Sequence, residues 1–196
     1  MQRHEIVNDE IDLSMVDELA SQLKPFPGLE NIDKHERQGL AYVAGYIARK
    51  RSLKIACQQC CDRLHTGKMM NDDDSLNCDD TFSYLSSLSR GGLLVPTVEF
   101  LEVVAKCNHV FICVSGSTAF LKGTDQRDIL QAVVVKYLGK DLNMYCSSHS
   151  QNEKPNESVV KIFCNLSLNR FSKERTLVVA SRKSRKLSIF ASARES

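Results

Sequence analysis

Cys57-Gln-Gln-Cys60 places two thiols three residues apart. At that spacing two thiolates in a tight turn converge on one zinc ion. A tetrahedral site needs two more ligands, and Cys146-Ser-Ser-His149 offers a second pair at the same spacing. Cys57, Cys60, Cys146 and His149 therefore make up a Cys3His set. Four protein ligands leave no open position for water, so such a zinc would be structural. Cys60 and Cys146 lie 86 positions apart, so the ion would pin two distant segments rather than nucleate a small finger. Cys61 and His65 are competing ligands in the first segment. Cys107, His109 and Cys113 fall on a mostly apolar helical stretch and read as core or half-buried residues.

Other chemistry is weakly represented. Asp72, Asp73, Asp74, Asp79 and Asp80 form one acidic run without the Gly and Glu offsets of a calcium loop, and read as a solvated loop. There is no Gly-x-Ser-x-Gly elbow and no Walker loop. Ser115-Gly-Ser117 reads as a linker. No residue is assigned a catalytic role. The second marked feature is charge. Residues 161–186 hold eight cations against one carboxylate, although the whole chain carries a net charge of only +2. Arg170, Lys173, Arg175, Arg182, Lys183, Arg185 and Lys186 are the candidate contacts to DNA phosphates, through counterion release without sequence readout. Ser181-Arg-Lys-Ser-Arg-Lys186 also has the character of a nuclear import signal.

These residues must be positioned by a framework, and the framework reads as helical. The chain has 196 residues, 42% hydrophobic and 26% charged, enough to bury a sizeable core. No apolar run reaches the length of a membrane helix. The polar start, Met1-Gln-Arg-His-Glu5, lacks the core of a signal peptide, which points to an intracellular chain with reduced thiols. Apolar spacing predicts a short helix over 14–23, ended by Pro25-Phe-Pro27-Gly28. A longer helix is predicted from Glu36 to Leu53, with Leu40, Val43, Ala44 and Ile47 in one stripe and Tyr42 and Tyr46 beside it. Arg49, Lys50 and Arg51 complement its C-terminal dipole. A short helix over 81–88 would be capped by Asp79 or Asp80. Further helices are predicted from Pro96 to 114, from Thr124 or Asp125 to Gly139, and from Pro155 to about 174. No extended alternation of period two suggests a sheet.

Leu40-Ala-Tyr-Val-Ala-Gly-Tyr-Ile-Ala-Arg-Lys50, followed by Cys57-Gln-Gln-Cys60, resembles the C-terminal region of P-element-like DNA transposases, the group that includes THAP-type transposases. Ser89-Arg-Gly-Gly-Leu-Leu-Val-Pro96 looks like that family's turn into a helix. Cys146-x-x-His149, Asn169-Arg-Phe-Ser-Lys173 and Arg182-Lys-Ser-Arg-Lys-Leu187 are similar to its later motifs, and the resemblance spans about residues 38–190. In that family an RNase H-like domain cuts and joins DNA with acidic residues and Mg²⁺. The resemblance implies that most of this catalytic part, and the THAP finger, lie outside the segment seen here.

The expectation is a mainly α-helical domain pinned by one structural zinc. Residues 1–35 form a lead-in, 36–175 the helical domain and 176–196 a basic tail. Its function would be that of a non-catalytic accessory domain, or remnant, of a transposase, contacting DNA or transposase partners in the nucleus or otherwise the cytoplasm. The alternative is a protein-interaction module without DNA binding, packing on a transposase subunit or on a second copy.

Overall fold

The computed structural model describes residues 13–69, 92–122, 125–139 and 159–169. The expected cap and helix over 79–88, the acidic run, Cys146, His149, Pro155 and the cations from Arg170 to Lys186 lie outside these residues. Within them the architecture is mainly α-helical. The chain runs α1 (Leu13–Ser21), a 3-10 turn (Leu29–Asn31), α2 (Lys34–Ser52), α3 (Gln58–Leu64), β1 (His65–Met69), β2 (Leu94–Pro96), α4 (Val98–Ser115), α5 (Thr118–Lys122) and α6 (Gln126–Leu138). The last described helix, α7, covers 159–169.

Local chemistry sets the ends of these helices. Asp33 caps α2, its carboxylate accepting from the backbone N–H of His35 at 2.8 Å and of Glu36 at 3.4 Å. Those two bonds hold the Asp33 carboxyl below its ordinary pKa. Pro25 and Pro27 follow the last turn of α1, as the sequence predicts. Gly116 ends α4. Gly139 ends α6 at φ 46°, a left-handed conformation that glycine adopts without a Cβ penalty.

One expected start is displaced. Pro96 is not the first residue of α4 but the last of β2, paired with His65 in an antiparallel two-stranded sheet. Thr97 caps the helix instead. Its hydroxyl accepts from the Phe100 N–H at 3.2 Å and donates to the Arg63 carbonyl at 2.7 Å. The Thr97 N–H donates to the Leu64 carbonyl. One small residue thus fastens the start of α4 to the end of α3.

The core is a single cluster beneath α2, α4 and α6. Leu40, Ala44 and Ile47 enter it from α2, Phe100, Val104 and Val110 from α4, and Leu130, Val133 and Val134 from α6. The lead-in is part of this packing. Val16 and Leu19 of α1 are buried, α1 lies against α6, and Lys136 of α6 forms an ion pair with Asp17. The following strap is held by the Lys24 carbonyl, which accepts from the Tyr137 hydroxyl at 3.3 Å and lies 2.9 Å from the His109 ring Nε2. No described helix is long and apolar enough to cross a membrane.

Candidate nucleic-acid interface and thiol site

Cys57 is the residue before α3 and Cys60 the third residue within it. Side chains at these two positions share one side of a helix's first turn. Cys60 is buried and Cys57 half-buried.

The competing ligands have contacts of their own. The Cys61 thiol faces the Ile55 carbonyl at 3.8 Å. His65 ends α3 and opens β1, and its Nδ1 accepts from the Gly67 N–H at 3.0 Å. Burial lowers the His65 pKa, against the raising influence of Asp62. Among the described residues no three His, Cys, Asp or Glu side chains gather as a metal-binding group. None of the six described cysteines is in a disulfide.

The apolar helix α4 treats its three polar candidates differently. Cys107 is fully buried, while His109 is half-buried between Phe26 and Tyr137, its ring centroid 5.9 Å from that of Phe26. Both match the expected core or half-buried placement. Cys113 does not. It is exposed, one turn beyond His109, because it lies on the solvent side of α4 together with Ile112.

The sequence assigns Arg49, Lys50 and Arg51 together to the dipole of α2, but the structure divides them. Arg51 is buried, and its Nε has no hydrogen-bond partner. Arg49 is exposed and donates to the Gly92 carbonyl, tying α2 to the segment before β2. Lys50 is exposed and lies 5.8 Å from the centroid of the Tyr46 ring. Lys54, Arg63 and Lys68 are also exposed. Residues 49–69 hold six cations against one carboxylate, Asp62. This second basic region is legible as composition, but composition does not reveal which of its cations face solvent.

Toward its other end α2 borders a groove. Gly39, Leu40 and Val43 of α2, Asn108, Phe111 and Ile112 of α4, and Phe163, Leu166 and Ser167 of α7 line a space of about 550 Å³. Its floor is apolar. Its rim carries His35 and a hydrogen bond from the Asn108 amide to the Glu36 carboxylate at 3.1 Å.

These features define a thiol-bearing helical domain with an exposed basic end. Residues 29–176 match the family model described as DNA transposase THAP9, C-terminal domain, and the chain belongs to that family. No curated protein and no solved structure matches the chain.

Proposed function

We propose that this domain is a non-catalytic accessory part of a transposase and that it contacts DNA through phosphates. The observation that carries this reading is the exposed set Arg49, Lys50, Lys54, Arg63 and Lys68 in a transposase C-terminal domain. Exposed cations in a stretch with six cations and one carboxylate release condensed counterions when they meet a phosphate backbone. The cations from Arg170 to Lys186 would extend the same attraction, and Ser181-Arg-Lys-Ser-Arg-Lys186, as an import signal, would give a nuclear location.

The test is a salt titration of binding to a labelled duplex, with the mass of the complex read by light scattering. Affinity is expected to fall steeply with salt. Lys50→Glu with Lys54→Glu is expected to weaken binding across sequences and to lower the salt slope by about one for each phosphate no longer neutralised. Salt-independent binding, or none at low salt, overturns the reading. A stable dimer that ignores DNA would favour the rival one, an interaction module using the apolar groove beside α2.

We also propose a structural zinc held by Cys57 and Cys60 together with Cys146 and His149. What supports it is the placement of Cys57 just before α3 and of Cys60 in its first turn, at the spacing of a zinc-binding pair. Elemental analysis is expected to give one zinc per chain, lost in Cys60→Ser. Protein purified without chelator and free of zinc would rule the site out.

A further inference from the structure

The outward face of α2 carries more than charge. Tyr42 and Tyr46 are 42% and 38% exposed, among the few large hydrophobic side chains left open to solvent in the described residues. They stand one helical turn apart, so their rings are neighbours on one face. At 100° per residue Arg49 falls on the same line one turn further on, and Lys50 lies beside it. The helix thus presents two aromatic rings and then two cations, in order, along a single stripe. Lys50 is near enough to Tyr46 to keep a positive charge against that ring.

Duplex DNA would leave half of this stripe unused. Within a duplex the base faces are stacked on one another, and a helix lying along it meets only base edges and phosphates. An unpaired strand offers both partners at once, phosphates for the cations and open base faces for the rings. Stacking of this kind tolerates any sequence, because every base has a π face. We propose that the α2 stripe Tyr42–Tyr46–Arg49–Lys50 is a binding surface for single-stranded DNA. The proposal rests on the reading of this domain as a DNA-contacting one and names the form of DNA that this face selects.

The test uses the full chain, a labelled mixed-sequence single strand of about 16 nucleotides and the duplex it forms with its complement. The expected result is that Tyr42→Ala with Tyr46→Ala weakens binding to the single strand about tenfold or more. Duplex affinity should change by less than about twofold. Tyr42→Phe with Tyr46→Phe should keep the single-strand affinity, since stacking needs the ring and not the hydroxyl. Both pairs should melt within a few degrees of the parent, because the rings are exposed. The proposal is overturned if the alanine pair leaves single-strand affinity unchanged, or lowers both affinities equally. A parent chain that binds neither probe overturns the DNA reading itself. A parent that binds both and responds only to Lys54→Glu with Lys68→Glu, outside the stripe, keeps that reading and removes the stripe.

Discussion

Phe100→Ala is expected to destabilise the domain by about 3–5 kcal/mol, the range for truncating a fully buried aromatic ring. Phe100 is wholly excluded from solvent. It sits in the first turn of α4, where its N–H is fixed by the Thr97 cap. The backbone there therefore cannot follow a collapsing cavity without pulling the cap away from α3. Since folded domains hold only about 5–15 kcal/mol in total, the loss would remove a large share of the stability. At about 2–4 °C per kcal/mol the melting temperature should fall by about 10 °C. Val98→Ala is the internal control. It alters the same helix two residues earlier, at a side chain 68% exposed, and should move stability by less than about 0.5 kcal/mol. Similar losses in both variants would show that helix propensity, and not the core, governs this turn.

The legible part of this fold is the part written in long apolar stripes. Leu40, Ala44 and Ile47 define a helical face, and Ser115-Gly-Ser117 and Gly139 mark ends that the structure keeps. The short elements are not legible. α3 has only Cys60, Cys61 and Leu64 to bury, too few for a periodic signal. β1 reads His-Thr-Gly-Lys-Met and has no apolar alternation. It is a strand because its partner β2 reaches it across a long separation in sequence, and local pattern cannot encode such a pairing. Pro96 misleads for a related reason. Proline suits a helix's first position, but it also tolerates a strand end, and the Thr97 hydroxyl decides between them by binding Arg63.

The candidate site is legible in kind more than in place. Cys57 and Cys60 can be read as a pair from spacing, and the structure places one just before α3 and the other in its first turn. The sequence draws attention to charge at residues 161–186, while the cations open to solvent in the described structure include those at the end of α2 and beyond. No local pattern separates exposed Lys50 from buried Arg51. That separation depends on which side of α2 meets β2, a tertiary fact.

The second large effect should appear in alkaline solution. Cys107 of α4 and Cys164 of α7 are both fully buried. Burial, with the Cys164 thiol adding to it, pushes Cys107 far above the ordinary thiol value, and burial pushes Cys164 up to about 12. Unfolded, both would ionise near 9.0. A folded pKa above the unfolded one means that the native state holds its protons longer. The stability this confers is complete below about pH 9 and is lost as pH rises from there toward the folded values. Each thiol can contribute a slope of up to about 1.4 kcal/mol per pH unit in that window. Between pH 9 and pH 10 the chain should thus lose about 2 kcal/mol more than Cys107→Ala with Cys164→Ala. The double variant begins from a lower stability because of its cavities, so the quantity to compare is the slope of urea-unfolding stability against pH. Equal slopes would mean that the two thiols reach solvent before the domain unfolds. Alkylation mapped residue by residue in native protein would then show Cys107 and Cys164 reacting as readily as exposed Cys113, where the buried arrangement requires them to stay protected until unfolding.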